Sequence, residues 1–310
     1  MAARWTAADI PDQSGRVAVV TGANSGLGMA TARELARAGA RVVMACRNLE
    51  KGRVAADAVV TEVPGAEVEV WPLDLADLDS VREFGERFVS QHDRLHLLVN
   101  NAGIMAPPRR LTKDGFESQF GTNHLGHFAL TGRLLDCLLA ASEPRVVTVS
   151  SGAHRLGRIN FSDLQGERRY IRWLAYGQSK LANLMFCFEL QRRATAAGVS
   201  LRSMAAHPGY ARTNLQFAAP PVHERVAMAV TNLVVAQSAD MGALSSLYAA
   251  TAVDLPGGSF IGPDGLMEGR GHPHVVTAAP KAYDEVAWQR LWQASEQLTG
   301  VNFEFAGAGR

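Results

Sequence analysis

The sequence predicts an α/β fold, a single doubly wound domain whose seven-stranded parallel sheet is flanked by helices. Three observations predict it. Seven short apolar runs, most of them rich in valine, recur along the 310 residues, and runs this continuous suit strands buried on both faces. Most gaps between them are long enough for a helix, so strand and helix alternate as right-handed βαβ units. The first run closes on a glycine cluster, Thr21-Gly22-Ala23-Asn24-Ser25-Gly26-Leu27-Gly28, and a helical pattern departs from it at once.

The strands are read in order at VAVVT (17–21), RVVMAC (41–46), VEVWPLD (68–74), LHLLVN (95–100), RVVTVS (145–150), VSLRSMAAHPG (199–209) and SFIGP (259–263). Helices are expected over 26–38, 49–62, 80–91, 116–140 and 172–197. No linker rich in Pro, Gly or Ser divides the chain and no fixed-period repeat is present, so 1–310 reads as one domain. Residues 1–15 form a lead-in and 263–310 a C-terminal extension. Two segments break the rhythm, 152–175 and 214–239. Both follow C-terminal ends of strands, where open α/β sheets bind ligands, and loops this long usually serve a function.

Composition narrows the function. Lys+Arg total 31 against 30 Asp+Glu, a net charge of +1, so no overall field draws in nucleic acid or an anionic membrane. At 47% hydrophobic and 20% charged residues the chain is not globally disordered. Cys46, Cys137 and Cys187 are odd in number and far apart, which fits a reducing compartment better than a disulfide framework. The N-terminus lacks a signal-peptide core, and the longest apolar candidate, 226–239, is interrupted by Thr231, Asn232, Gln237 and Ser238. A cytoplasmic protein with neither membrane nor nucleic-acid partner is expected.

The glycine turn is a nucleotide signal. Gly22 permits the tight turn, Gly26 a close approach of backbone to pyrophosphate, and Gly28 close packing of helix on strand. The N–H groups at the helix start, with Asn24, Ser25 and Leu27 among them, face the anion. The second strand ends Ala45-Cys46-Arg47-Asn48. NAD sites usually carry an acid there for the ribose 2′-hydroxyl. None is present, and Arg47 offers a guanidinium suited to a 2′-phosphate, so NADP(H) is preferred over NAD(H). Asp74 can accept from the adenine amino group with Leu75 beside it, or cap the following helix, or both. At the fourth strand end, Asn101-Ala102-Gly103 lets the backbone pass close to the cofactor.

Tyr176 and Lys180 stand four residues apart and share one face of a helix. A phenol near pKa 10 is a poor base at neutral pH. A neighbouring ammonium favours phenolate and lowers that value, so the phenol can exchange a proton with an alcohol or carbonyl oxygen.

TGANSGLG, the NNAG tetrapeptide at 100–103, TNHLGHFALT (122–131), VTVSS (147–151), YGQSK (176–180) and HPGYART (207–213) occur in that order. Together they resemble the short-chain dehydrogenase/reductase superfamily over nearly the whole chain, with its Rossmann-type fold. ACRN, GRINFSDLQGE and YGQSKLAN add similarity to the retinol dehydrogenase and WW-domain oxidoreductase-like branch. Members of that branch often carry a membrane anchor before the first strand; none is expected from the N-terminal residues here.

The resemblance implies that Tyr176 is the general acid in reduction and the base in oxidation. It implies that Lys180 holds the nicotinamide ribose, that Ser151 rather than Ser150 binds the substrate oxygen, and that Asn123 anchors a water chain from Lys180. Pro208, Gly209 and Thr213 would contact the nicotinamide end. Relatives commonly form homodimers or homotetramers through the helix carrying Tyr176, although the C-terminal extension can cover that surface.

The expected function is therefore interconversion of an alcohol and a ketone or aldehyde with NADP(H). A non-catalytic dinucleotide sensor or scaffold on the same fold is the alternative. A methyltransferase shares the glycine turn but has no use for YxxxK. Leu156, Ile159, Phe161, Trp173, Leu174, Leu215 and Phe217 make an apolar lid if the two long segments fold over the site, which suggests a lipophilic substrate. His272-Pro273-His274 is read as loop, not as a metal site.

Overall fold

The computed structural model describes residues 4–209 and 237–305. Thr213, Leu215 and Phe217, with most of the second insertion, lie outside the described residues.

The strands are β1 (Val17–Thr21), β2 (Arg41–Cys46), β3 (Val68–Pro72), β4 (Leu97–Asn100), β5 (Arg145–Val149), β6 (Arg202–Ala206), β7 (Phe260–Pro263) and β8 (Pro273–Val275). They form one sheet in the order β3-β2-β1-β4-β5-β6-β7-β8. The first seven are parallel, as the valine runs predict. An eighth strand was not expected: Pro273–Val275 pairs antiparallel with β7, Ile261 opposite Val275. Edge position lets Pro273 lie in a strand without a missing ladder bond, and this places His274 in the sheet, not in a loop.

The helices are α1 (Gly26–Arg37), α2 (Leu49–Glu62), α3 (Leu78–Gln91), α4 (Gly126–Arg133), α5 (Leu135–Leu139), α6 (Arg172–Ala196), α7 (Ala239–Thr251) and α8 (Glu285–Thr299). Successive strand residues alternate between layers. Ala18 and Val20 pack toward α1, α2 and α7, while Val19 packs toward α3, α4 and α6. The helix expected over 116–140 is broken. Ser118–Phe120 is followed by a π-turn at Gly121–Leu125, then by α4 and α5. Wide turns of this kind concentrate at functional sites, and this one holds Asn123.

The C-terminal extension seals the second layer. Trp292 of α8 is 2% exposed. It stacks on Phe186 of α6 at 5.8 Å and meets Phe128 of α4 edge-on at 5.0 Å. Phe303 closes the cluster at 4.6 Å from Trp292. Aromatic contacts of this geometry add to the burial itself.

Strand order reverses between β1 and β4, since β1 leads outward to β2 and β4 to β5. A crevice opens at such a switch point beyond the carboxyl ends of the strands.

Candidate active site

The carboxyl ends of β1 through β6 border one cleft of about 1090 Å³. At one end lies the glycine turn. Gly22 and Gly26 have φ of +66° and +55°, which side-chain-bearing residues rarely adopt. A Cβ on Gly28 would collide with the Gly22 carbonyl and lie 2.6 Å from Asn101 Nδ2. Ser25, the N-cap of α1, makes no side-chain cap bond, so the first-turn N–H groups stay open to an anion. Asn24, Ser25, Leu27 and Gly28 all line the cleft.

Arg47 lines this end and is exposed, with no protein hydrogen-bond or ion-pair partner among the described residues. Lys51 stands one helical turn further on, also lining the cleft. Sequence reasoning missed Lys51, although its i,i+4 spacing from Arg47 was available as a signal. Asn48 lines the cleft as well, but its Oδ1 caps α2 by accepting from Lys51 N at 2.9 Å. Asp74 and Leu75 line the next strand end. The helix cap is Asp77, not Asp74; Asp74 Oδ1 accepts from Ala76 N at 3.0 Å.

Asn101 and Ala102 each donate a backbone N–H to Thr21 Oγ1 at 2.9 Å, and Asn101 Nδ2 donates to Thr21 O at 2.8 Å. These bonds lock the β4 turn to the end of β1. A Cβ on Gly103 would lie 3.0 Å from Asn123 Oδ1 and 3.5 Å from Lys180 Nζ, so the turn passes close to both.

At the other end α6 presents Tyr176 and Lys180 from its buried face, 6% and 3% exposed. Lys180 Nζ donates to Val149 O at 3.0 Å and lies 5.8 Å from the Tyr176 ring centre. Ser151 caps the short turn Gly152–Arg155, its Oγ accepting from Ala153 N at 3.2 Å, and lines the cleft with Tyr176. Ser150 is engaged elsewhere: its Oγ donates to the Lys180 carbonyl at 2.8 Å, tying β5 to α6. Both serines line the cleft, and Ser150 is the one whose hydroxyl proton is already committed to a backbone carbonyl.

One expectation is reversed. Burial pushes the Tyr176 phenol up to about 12, with Ser151 pulling the other way. Burial also pushes Lys180 down to about 8. Desolvation of both groups outweighs the ammonium's effect on the phenol, because each is enclosed by protein.

Asn123 is fully buried. Its Oδ1 accepts from Ile104 N at 2.8 Å, and its Nδ2 donates to Ile104 O and to Ser179 Oγ at 2.9 Å each. The side chain is spent on protein groups that bracket the reacting end. Pro208 and Gly209 line the cleft beside His207, whose Nδ1 accepts from Gly209 N at 3.3 Å.

Glu268 is a site residue that no motif singled out. It reaches the cleft from the loop after β7, with Oε2 3.1 Å from His207 Nε2 and Oε1 3.1 Å from Arg155 Nη2. The close approach of His207, aided by the charge of Arg155, holds this carboxyl below its usual range against the opposing effect of burial. The first insertion is not a free lid. Gly157 packs directly on the backbone of Gly177, and Gln178 holds Asn160 N and Leu164 O at 2.9 and 3.0 Å. Ile159 and Phe161 therefore pack on the core, and Leu156 and Leu174 stay exposed. Of the large apolar residues described in this insertion, Trp173 lines the cleft, with Gly152, Ala153 and Arg155 beside it.

The chain matches the short chain dehydrogenase family over residues 16–221. It is 41% identical over 294 residues to mouse retinol dehydrogenase 12, covering 94% of this chain and 88% of that one. Human retinol dehydrogenase 13 is 41% identical over 292 residues, 93% and 85% of the two chains. Among solved structures, an uncharacterised protein from Mycobacterium paratuberculosis is 50% identical with a TM-score of 0.82, covering 97% of this chain and all of that one. A provisionally assigned NAD(P)-dependent gluconate 5-dehydrogenase from Beutenbergia cavernae, with NADP bound, is 27% identical at a TM-score of 0.62, covering 77% and 91%. Motif order, sheet topology and these relatives agree: the chain belongs to the short-chain dehydrogenase/reductase family, in its retinol dehydrogenase-like branch, and is an NAD(P)-dependent oxidoreductase.

Proposed function

We propose that the protein interconverts a lipophilic alcohol and its ketone or aldehyde with NADP(H), using Tyr176 as general acid and base. The observation that carries this reading is the convergence of Ser151, Tyr176 and Lys180 on one cleft whose far end presents Arg47 and Lys51 without an acid at the end of β2.

The residues present fit a phosphorylated dinucleotide. Gly28 lets α1 pack directly against the end of β1, and the Arg47 and Lys51 side chains stand without protein partners among the described residues where a 2′-phosphate would need them. Gly22, Gly26 and the neighbouring N–H groups would hold the pyrophosphate, Asp74 and Leu75 the adenine. Asn101, Ala102, Gly103, Pro208 and Gly209 would hold the nicotinamide end together with Thr213. Bound NADP(H) supplies a hydride for reduction and accepts one in oxidation.

The protein's part is proton and position. Tyr176 stays protonated through neutral pH because it is buried, the form that gives a proton to a carbonyl oxygen. Ser151 donates to the same oxygen as negative charge develops there. The Lys180 ammonium, fixed by the Val149 carbonyl, offsets the charge left on the phenol. Asn123 clamps Ile104 to Ser179, holding the turn that borders them.

The lipophilic substrate is supported by Ile104, Met105, Trp173 and Met267 on the cleft wall and by the named activity of the relatives, retinol dehydrogenases. Three buried free thiols accord with a reducing cytoplasmic setting. Family-type pairing through α6 is opposed by α8, which already covers that helix with Trp292. Light scattering during size exclusion should give a mass near 33.3 kDa; a dimer mass breaks this reading.

The function is tested by NADPH oxidation across lipophilic and hydrophilic carbonyls. Tyr176→Phe should lose about 10³-fold in kcat while still binding NADPH. A variant as active as wild type removes Tyr176 as proton donor, and preferred turnover of small sugars removes the lipophilic substrate.

A further inference from the structure

Two buried histidines, His124 in the π-turn and His127 on α4, take no part in the chemistry above. His124 bonds Ser295 of α8 through Nε2 at 2.9 Å and belongs to the packing of the extension. His127 is placed differently. It is 1% exposed, and its two ring nitrogens reach two separate parts of the site. Nδ1 lies 3.0 Å from the backbone carbonyl of Asn123, and Nε2 lies 2.9 Å from Thr21 Oγ1.

The partners decide the tautomer. A carbonyl can only accept, so Nδ1 must carry the proton. Nε2 is then an acceptor, and the Thr21 hydroxyl donates to it. That leaves the Thr21 oxygen lone pairs to accept from Asn101 N and Ala102 N, both at 2.9 Å. Every member of the chain is satisfied in this arrangement and in no other neutral one. A protonated ring would oppose its second N–H to the Thr21 hydroxyl, turning that hydroxyl toward the Val99 carbonyl at 3.4 Å. Burial opposes that form, as does the charge of nearby Lys180.

We propose that His127 is a positioning residue that couples the two halves of the site. Through Nδ1 it fixes the backbone of Asn123, whose side chain spans Ile104 and Ser179 beside Tyr176 and Lys180. Through Nε2 it orients the Thr21 hydroxyl, which holds the Asn101-Ala102 turn at the cofactor side. The inference rests on the oxidoreductase reading for its kinetic consequences, and on hydrogen-bond geometry alone for the tautomer.

The two contacts can be cut separately. An Asn side chain places its amide where Nδ1 stands, and a Gln places its amide where Nε2 stands. His127→Asn keeps the link to Asn123 and releases Thr21, so its loss should fall mainly on NADPH affinity, about tenfold in Kd for one buried hydrogen bond. His127→Gln keeps the link to Thr21 and releases Asn123, so its loss should fall mainly on kcat, by a similar factor, with a displaced basic limb in the pH profile. Equal losses of Kd and kcat in both variants would reduce His127 to packing and overturn the proposal. Nitrogen-15 NMR of the wild-type imidazole at pH 7 gives a readout independent of turnover. A neutral ring protonated at Nδ1 is expected, and an Nε2–H or a charged ring overturns it even if the variants fail to fold. Wild-type protein that shows the expected tautomer but ignores both reduced dinucleotides would defeat the functional reading and leave the hydrogen-bond assignment standing.

Discussion

The two ends of the cleft handle awkward backbone in opposite ways. At the nucleotide end, the positive φ angles fall on Gly22 and Gly26, which adopt them without steric cost. At the substrate end they fall on Gly209 but also on Met267 and Glu268, two consecutive side-chain-bearing residues with φ of +53° and +56°. Side-chain-bearing residues in that region cost about 1–2 kcal/mol each. The second turn must therefore be held in place by something else. Glu268 is clamped between His207 and Arg155 at 3.1 Å to each, while Met267 is 92% exposed at the cleft wall. A relaxed turn suits a ligand portion common to a whole cofactor class. A strained turn persists when its surroundings overdetermine it, and such turns cluster at sites of selection.

The largest test of this contrast is at the nucleotide end. Arg47→Ala should weaken NADPH by about 1.5–3 kcal/mol, the scale of charge-assisted hydrogen bonds, and leave NADH nearly unchanged in a direct titration. Lys51→Ala should follow in the same direction by a smaller amount. Equal losses for the two cofactors would remove both cations from the 2′-phosphate.

The second test follows from burial at the reacting end. Lys180 is pushed down to about 8, and Tyr176 up to about 12. As pH rises through 8 the Lys180 ammonium is lost while the phenol keeps its proton. kcat/KM for carbonyl reduction should then decline with a basic midpoint near 8. A profile flat from about pH 6 to 10 would show that Lys180 charge does not act on the reacting oxygen.

The smallest effect concerns the strain itself. Met267→Gly relieves a left-handed residue that is exposed and makes no core contact. Net of the extra chain entropy of glycine, the protein should gain about 0.5–1 kcal/mol in denaturant unfolding. A destabilised variant would mean the Met267 side chain is held by the cleft wall after all, and the contrast between the ends would weaken.

Much of the site was legible because its signals are local in sequence. The glycine turn, the Arg47 position and the Tyr176–Lys180 spacing each lie within one strand–turn–helix step, where periodicity and backbone geometry are set by neighbours. The same holds for the seven parallel strands, each marked by its own apolar run. What sequence could not assign was decided by distant segments meeting. Ser150 parts from Ser151 only when α6 packs on β5 and takes up the first hydroxyl. The phenol's acidity turns on how completely protein encloses it, and desolvation is a property of packing, not of spacing. Glu268, His127 and the eighth strand likewise owe their roles to partners at least 60 residues away or across a loop. Composition and pattern alone determined the doubly wound class and marked the glycine turn and the Tyr176–Lys180 spacing, because these follow from short-range periodicity. Only the tertiary structure decided which serine hydroxyl is taken up by α6, how deeply Tyr176 and Lys180 are buried and which turn is strained, because those depend on burial and on contacts that no local pattern encodes.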